Sequence, residues 1–260
     1  MATNSFLKSV TIRGRKHCNE FIRAMEKSAN STKEKDSFAH QSKDLTPDQI
    51  RKVFGDTEHL TGFREANLAD MLDALGEERV NGLLSEFSCP LNPDVEYFLQ
   101  HRAIVFCRQG ISATHLVFTS YQGKPVLVGY YALANKTVVI KTHDLSARMR
   151  QRLRRFATPM QEMRQYYLAL PLIGQLGKNF ANGYHRLITG DQLLQMACDR
   201  VRDMQRAFGG KAVYLECEDI PALTEFYERN RFVRFAQREL DRDEQGLMKS
   251  AYLVQMLRYF

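Results

Sequence analysis

The clearest pattern of hydrophobic and polar positions lies in residues 168–232. The apolar stretch LPLIGQL predicts a strand, and LITGDQLLQMACDRVRDM predicts an amphipathic helix because its apolar positions recur every three or four residues. A second strand in VYLECED and a helix in FYERNRF follow. This order places the free N–H groups of a helix beginning near Gly190 beside two neighbouring strands, where helices bind phosphate groups. The pattern therefore predicts both a sheet and an anion-binding helix terminus.

Helical spacing and capping signals predict further helices in the N-terminal half of the chain. One helix is expected over residues 14–28. Thr46, followed by a proline and by a glutamine at the third position, starts a second helix, and Asn67 and Asn92 precede the next two. Residues 28–44 are polar and are expected to form a linker or mobile loop.

Three other segments have the amino-acid composition that is typical of β-strands. Residues 113–141 are rich in β-branched and aromatic side chains and predict two or three antiparallel strands, with a turn at QGKP. Residues 5–12 predict a short strand, and residues 251–260 a closing strand. Residues 145–164 return to helix, which Pro159 must kink or divide. Its apolar positions recur at roughly heptad spacing and are expected to form an inner face packed on the core: Met149, Leu153, Phe156, Met160 and Met163.

Together these elements predict an α/β fold of the α+β type, with a mixed, mostly antiparallel sheet flanked by helices and preceded by a helical N-terminal extension. We expect residues 1–66 to form the extension with its linker and residues 67–260 to form the main domain. A chain of 260 residues is long enough to bury a substantial core.

Composition narrows the class of protein. The residues are 44% hydrophobic and 26% charged, as in a soluble globular protein, and no apolar run approaches the ~18 residues of a membrane span. Five scattered cysteines with no C-x-x-C pair argue against a disulfide scaffold or a zinc site, and indicate a cytoplasmic protein without a bound metal. The net charge of +7 fits either an ordinary basic surface or a polyanionic ligand, such as a nucleotide or a nucleic acid.

The glycine turn before the long helix is the first candidate site. Gly190 has no side chain to obstruct a ligand that approaches the free N–H groups of the helix. Lys178, His185 and Arg186 supply positive charge nearby, whereas Asp191 competes with an anion for the positive end of the helix. A simple turn remains the alternative.

Tyr227 is the second candidate. Its phenol is either an ordinary packing group or a general acid, because a hydroxyl with a pKa of about 10 stays protonated at neutral pH and can donate a proton to a leaving thiolate. Glu216 and Glu218 lie on one face of a strand, and each is either a base for an amine or a salt-bridged structural residue. Cys217 has no adjacent histidine to activate it and is expected to be a buried hydrophobe.

A run of arginines follows the strand region. Five of them lie in the predicted helix, at Arg148, Arg150, Arg152, Arg154 and Arg155. This basic helix either faces solvent or contacts the phosphates of an RNA or of a cofactor.

The motifs in residues 86–260 resemble the GNAT superfamily of acetyl-CoA-dependent N-acyltransferases. LIGQLGKN is similar to the family's central strand, LITGDQLL to its pyrophosphate turn, and FYERNRF to its tyrosine-containing helix, in which Arg231 stands where the family usually has glycine. FSCPLNPDVEYFLQHRA, GISATHLVF and VGYYALA narrow the resemblance to the acetyltransferase toxins of bacterial toxin–antitoxin pairs.

The resemblance implies an enzyme that uses acetyl-CoA, and it implies roles for particular residues. Leu176, Gly177 and Lys178 would bind the acetyl and pantetheine parts of coenzyme A through backbone groups. Tyr227 would protonate the leaving thiolate. The pyrophosphate loop would consist of seven consecutive residues, His185, Arg186, Leu187, Ile188, Thr189, Gly190 and Asp191.

Two classes of function follow. The first is transfer of an acetyl group to a primary amine, either the α-amino group of aminoacyl-tRNA, held by the basic helix, or an amine of a protein or small molecule. The absence of an obvious strong base favours an α-amino acceptor, whose pKa of about 8 lies below that of lysine. The toxin-like motifs imply an antitoxin protein as a further partner, and the absence of a long apolar run predicts no membrane partner. The second class is a non-catalytic, basic interaction protein that has kept the fold.

Overall fold

A computed structural model describes residues 3–31, 42–55, 60–160, 162–240 and 250–260. Within these ranges, no helix is long and apolar enough to cross a membrane. The helices, in chain order, are α1 (Arg15–Ser31), α2 (Pro47–Phe54), α3 (Leu68–Leu75), α4 (Glu77–Ser85), α5 (Pro93–Tyr97), α6 (Ala103–Arg108), α7 (Ala147–Leu153), α8 (Gly190–Phe208) and α9 (Pro221–Arg229). A π-helical turn, Phe98–Arg102, joins α5 to α6, and Thr3–Phe6, Thr142–Asp144 and Ala181–Arg186 form 3-10 turns.

The strands belong to a mixed, mostly antiparallel sheet. In chain order they are β1 (Val10–Ile12), β2 (Ser42–Asp44), β3 (Phe63–Asn67), β4 (Ala113–Tyr121), β5 (Lys124–Lys141), β6 (Thr158–Met160), β7 (Gln165–Lys178), β8 (Ala212–Glu218), β9 (Val233–Glu239) and β10 (Tyr252–Tyr259). The pairs β3–β4, β4–β5, β6–β7, β8–β10 and β9–β10 are antiparallel, whereas β1–β5 and β2–β3 are parallel. The predicted fold class is therefore confirmed.

The described residues fold as two compact units, each built from separate segments of the chain. Unit 1 comprises residues within 1–37, 135–172 and 201–260, and unit 2 comprises residues within 38–134 and 173–200. The long elements β5, β7 and α8 each contribute residues to both units.

Unit 2 contains the strands β2, β3 and β4 with the first part of β5 and the last part of β7, in the strand order β2-β3-β4-β5-β7. Helices α2 to α6 come from its long first segment. Thr46 caps α2 through a capping box with Gln49, and the side chain of Asn67 caps α3. Asn92 caps α5 by accepting hydrogen bonds from the first-turn amides. These three predicted helix starts are confirmed.

In unit 1, β8, β10 and β9 lie side by side, with β10 in the middle. Helix α1 packs against β9 and β10, and the rings of Phe21 and Phe235 meet edge to face with their centroids 5.1 Å apart. Strand β1 pairs with residues Val138 to Ile140 of β5. The N-terminal segment thus contributes a strand to this sheet as well as a helix.

The sequence predicted most of the other elements. The helix over 14–28, the long helix from Gly190 and the closing strand are all present, and residues 113–141 form two antiparallel strands. The helix predicted at FYERNRF is present but ends at Arg229. The strand predicted over 5–12 is confined to Val10–Ile12. The predicted linker, residues 28–44, lies outside the described residues between 32 and 41. Its two described ends are wrong, because residues 28–31 belong to α1 and Ser42–Asp44 forms β2.

The helix predicted over residues 145–164 is wrong beyond Leu153. α7 ends there, and Thr158–Met160 instead pairs with Gln165–Tyr167 as a hairpin. Pro159 has no N–H to donate to a helix, and its ring blocks the preceding turn, so the heptad spacing did not determine the structure. Met160 and Met163, predicted to lie on an inner face, are exposed.

Candidate functional site

The end of β7 in unit 2 packs tightly against two neighbouring segments. A side chain at Gly177 would overlap Val95 Cγ1 and lie 3.4 Å from Phe87 Cζ and 3.6 Å from Tyr130 Cε1. A side chain at Gly129 of β5 would lie 2.9 Å from the carbonyl oxygen of Gly177. Glycine at position 129 therefore lets β5 approach β7 closely, and glycine at position 177 lets Val95 pack against the end of β7.

This packing gathers three of the motifs that were recognised far apart in the sequence. Phe87 comes from the Phe-x-Cys segment, Tyr130 from the Tyr-Tyr segment and Gly177 from the central strand. The rings of Phe87 and Tyr130 meet edge to face at 5.2 Å, and the Tyr130 hydroxyl donates a hydrogen bond to the Val95 carbonyl at 2.6 Å. Burial raises the pKa of Tyr130 well above its ordinary value, so this hydroxyl stays protonated.

Substitution of Gly177 by alanine is expected to destabilise the chain by roughly 1–3 kcal/mol, because the added methyl overlaps Val95 in a packed interior. Gly82 offers a matched control, since nothing lies within 4 Å of a side chain there. In urea unfolding, Gly82→Ala should leave stability unchanged or raise it slightly. Equal stability of the two variants would contradict the packing argument.

Asn179 anchors the chain directly after β7. This residue is buried, with 2% of its surface exposed. Its Nδ2 donates to the Leu127 carbonyl at 2.9 Å, and its Oδ1 accepts from the backbone amides of Ser88 and Ala181, both at 3.0 Å. Its own amide donates to the Val128 carbonyl at 2.8 Å. One side chain thus fixes the start of the candidate pyrophosphate loop to two other segments of unit 2.

The loop then turns through residues 181–186. Asn182 and Gly183 have φ angles of 51° and 76°, in the left-handed region that asparagine and glycine tolerate best. Lys178 Nζ donates to the carbonyl of His185 at 3.0 Å and so ties the strand end to the end of this turn. Lys178 therefore stabilises the loop through this hydrogen bond and also supplies positive charge.

His185 presents a buried polar atom within the loop. Its ring stacks on Phe180 with the centroids 4.5 Å apart. Its Nδ1 is buried and has no hydrogen-bond partner among the described residues. A buried ring nitrogen without a partner is uncommon in proteins and indicates a group that a ligand can satisfy.

Helix α8 begins with a capping box that was not predicted from the sequence. Thr189 Oγ1 accepts from the amide of Gln192 at 3.1 Å, and Gln192 Oε1 accepts from the amide of Thr189 at 2.9 Å. The T-x-x-Q spacing is the same one that predicted α2 at Thr46. These reciprocal bonds occupy two amides of the loop, whereas the N–H of Gly190 has no partner in the described part of the chain.

Charge at this helix terminus is mixed. The helix dipole places partial positive charge on the first-turn amides, and exposed Arg186 adds a full positive charge. Asp191 lies exposed in the same turn and opposes an anion. Leu187 is partly buried and Ile188 fully buried, so these two residues hold the loop to the core.

A second cluster positions α8 within unit 2. Arg200 pairs with Asp44, and its Nη2 lies 3.5 Å from Glu65, which also accepts a hydrogen bond from Tyr131. His115 stacks on Tyr131 at 5.0 Å, and its pKa is lowered to about 3, mainly by burial and then by Arg200. The histidine is therefore neutral at physiological pH, and the cluster anchors the helix.

Tyr227 lies in unit 1, on α9, about two turns after its start at Pro221. It is 3% exposed, and its ring packs edge to face against Phe226 and Phe232 at 4.9 and 5.8 Å. The amide of Phe232 donates to the Tyr227 carbonyl at 3.0 Å, across a turn in which Arg231 has a φ of 67°. This left-handed conformation explains why a glycine suits that position.

Glu216 is a buried anchor, which argues against its being a free base. Its two oxygens accept hydrogen bonds from Tyr214 at 2.5 Å, Gln255 at 3.2 Å and Arg238 at 3.0 Å, and also from Ser5. Burial alone would raise its pKa, but Arg238, Lys136 and the hydrogen bonds outweigh burial and lower it. A carboxylate held in this way is a weak proton acceptor.

The remaining strand candidates are structural as well. Glu218 is buried, and its Oε1 accepts from the amide of Ser250 at 3.3 Å. Burial raises the pKa of the Cys217 thiol to about 12, so the predicted buried hydrophobe is confirmed.

All five cysteines are free thiols. The described ranges contain no group of three histidine, cysteine or acidic residues that fits a metal ion.

The predicted basic helix is shorter and less uniform than expected. Arg152 pairs with Glu26 of α1 and hydrogen-bonds to Asn19 at 3.2 Å, and Arg150 donates to the Leu145 carbonyl at 3.2 Å. These two side chains are therefore committed to the fold. The exposed arginines of the segment are Arg148, Arg154 and Arg155.

Comparison with known proteins gave matches among solved structures only. No family profile and no curated protein sequence matches this chain. It is similar to a structure described as a bacterial toxin, with 19% identity and a TM-score of 0.45 over 68% of this chain and 82% of that one. AtaT complexed with acetyl-methionyl-tRNAfMet matches with 14% identity and a TM-score of 0.45, over 68% of this chain and 86% of that one. AtaTR bound with AcCoA matches with 15% identity and a TM-score of 0.43, over 74% of this chain and 91% of that one.

Proposed function

We propose that this chain is an N-acetyltransferase that moves an acetyl group from acetyl-CoA to a primary amine. The observation that carries the proposal is the convergence, in unit 2, of Phe87, Tyr130 and Gly177 beside the loop that leads into α8. These residues come from separate motifs of one family resemblance, and a chance resemblance of short motifs gives no reason for them to be in contact.

The loop supports the cofactor part of the proposal. Lys178, Arg186, the free amide of Gly190 and the unpartnered Nδ1 of His185 are suited to phosphate oxygens. Backbone groups of Leu176 and Gly177 would hold the pantetheine arm. When bound, acetyl-CoA supplies the activated thioester that the reaction consumes.

Tyr227 is assigned the role of general acid. The amine nitrogen attacks the thioester carbonyl carbon, the carbon–sulfur bond breaks, and the phenol proton passes to the departing thiolate. The attacking nitrogen is protonated after the attack and loses one proton as it becomes the amide nitrogen. That proton restores the phenol, directly or through water. Glu216 is ruled out as the base by its buried hydrogen bonds, and Glu218 is buried too, which favours an acceptor amine that is already partly neutral at physiological pH.

The α-amino group of aminoacyl-tRNA is the acceptor that best meets this condition. The net charge of +7 and the exposed Arg148, Arg154 and Arg155 support binding to a polyanion. An amine on a protein or a small molecule is the alternative acceptor, and an antitoxin protein is the partner that the toxin-like motifs imply.

Replacement of Tyr227 by phenylalanine is expected to lower kcat for acetyl transfer about 100-fold, the lower end of the range for loss of a general acid. The measurement is transfer of radioactive acetyl from acetyl-CoA to charged tRNA, with protein and small-molecule amines tested in parallel. Tyr252, which is exposed on β10, provides the matched control, and Tyr252→Phe should retain full activity. A Tyr227→Phe enzyme with normal kcat would exclude the proposed acid, and no transfer to any amine would exclude the enzyme.

A non-catalytic interaction protein is the second candidate, and the α8 terminus favours it. Thr189, Gln192 and Asp191 already supply partners or negative charge where an anion would bind. Thermal unfolding with acetyl-CoA separates the two functions. Ligand at ~100 times its Kd adds about 2.7 kcal/mol and raises Tm by several degrees, whereas a chain that has lost the site shows no shift.

A further inference from the structure

Strand β9 forms the edge of the sheet in unit 1. It pairs with β10 on one side, and no strand of the described residues pairs with its other side. Half of the backbone N–H and C=O groups of Val233–Glu239 therefore point away from β10. An edge of this kind pairs readily with another extended chain unless something covers it.

A groove of about 580 Å³ lies along this strand. One wall is β9 itself, from Val233 to Gln237. The other wall is a stripe of α1 that follows helical spacing, formed by Lys16, Glu20, Arg23 and Lys27, together with His17 and Ala24. The edge-to-face contact of Phe21 with Phe235 packs α1 against β9.

The groove is positively charged. Three of its four charged α1 residues are cations, Lys16, Arg23 and Lys27, and Glu20 is the one carboxylate among the described lining residues. Arg234 adds a further cation on the strand wall, although Asp219 lies 3.3 Å from it. An extended occupant would therefore meet backbone donors and acceptors on one side and positive side chains on the other.

We propose that this groove binds an extended acidic peptide segment of a partner protein, which adds as a strand to the free edge of β9. Main-chain hydrogen bonds to residues 233–237 supply affinity, and carboxylates at alternate positions of the peptide reach Lys16 and Arg23. This site is independent of the acetyltransferase proposal, because every residue that lines it lies on α1 or β9 and none belongs to the candidate acetyl-CoA site.

In the test, a display library of random eight-residue peptides is selected for binding to the full chain. Counter-selection uses the double variant Lys16→Glu and Arg23→Glu, two exposed positions where charge reversal leaves the core untouched. Selected peptides should carry aspartate or glutamate at alternate positions. A synthetic copy should bind the double variant at least about tenfold more weakly than the wild type, since like charges then face each other.

Two controls make the result decisive. Reversal of Arg148 and Arg154, which are equally exposed, changes the net charge by the same amount and should leave peptide affinity within about twofold. A peptide N-methylated at alternate amides loses its donors to β9 and should not bind. The proposal is overturned by selected peptides that are not acidic, by an unchanged affinity of the double variant, or by tight binding of the N-methylated peptide. It is overturned equally if light scattering shows that a second copy of this chain occupies the edge.

Discussion

Replacement of Glu216 by alanine is expected to lower the free energy of unfolding by about 3–5 kcal/mol, a large fraction of the stability of a typical domain. The carboxylate accepts hydrogen bonds from Tyr214, Arg238 and Gln255, which lie on three different strands. Its removal leaves buried Lys136 and half-buried Arg238 without this carboxylate. Urea unfolding measures the loss directly.

The neighbouring acidic residue of β9 gives the matched control. Glu239 is exposed, and its substitution by alanine should change stability by less than about 0.5 kcal/mol. Glu216→Gln keeps the shape of the side chain and removes only its charge, so its stability should fall between that of Glu216→Ala and the wild type. A loss below ~1 kcal/mol in Glu216→Ala would show that the network contributes little.

The same network predicts a pH dependence. The pKa of Glu216 is lower in the folded chain than in the unfolded chain, so its contribution to stability is fully present above the unfolded pKa of about 4.3. That contribution is lost as the pH falls through the folded pKa. The difference in stability between the wild type and Glu216→Gln should therefore be constant near neutrality and shrink below pH ~4.

Asn179→Ala is expected to cost about 3 kcal/mol and to weaken acetyl-CoA binding roughly tenfold or more. The substitution removes the partners of the Leu127 carbonyl and of the Ser88 and Ala181 amides. The loop that leads to α8 then loses its attachment, and the candidate phosphate donors are displaced.

Asn182 in the same loop provides the comparison for this variant. It is exposed and has a φ of 51°, so Asn182→Gly fits the left-handed conformation and should change neither stability nor cofactor affinity appreciably. Calorimetric titration with acetyl-CoA and urea unfolding of both variants supply the data. Two variants that behave alike would refute the assignment of Asn179 as the anchor of the loop.

Local signals in the sequence predicted much of the fold. Thr46, Asn67 and Asn92 each start a helix, because a cap depends on residues only two or three positions away. The alternation and length of the apolar runs likewise identified β7, β8 and β10. Strand β9 was missed because VRFAQRE has only one fully buried side chain, as expected of an edge strand.

The site could be predicted only in part. The strand end and the turn into α8 were identified by their resemblance to a family motif. The contacts of Asn179 depend on residues 88, 127 and 128, whose proximity no local pattern reveals. Glu216 was predicted to be a candidate base because its hydrogen-bond partners are also invisible to local patterns. They come from positions 5, 214, 238 and 255. The capping box at Thr189 was the exception, a local signal that was present and overlooked.

That capping box has a consequence for how the loop meets a ligand. Because Thr189 and Gln192 satisfy each other, and Asn179 and Lys178 fasten the preceding turn, the segment is rigid before anything binds. If the loop binds a nucleotide as proposed, association loses little conformational entropy, and even a modest set of phosphate contacts is sufficient for useful affinity. An anion that needs the amides of Thr189 or Gln192 must instead displace a side chain, which gives the loop a means of discriminating between anions by shape.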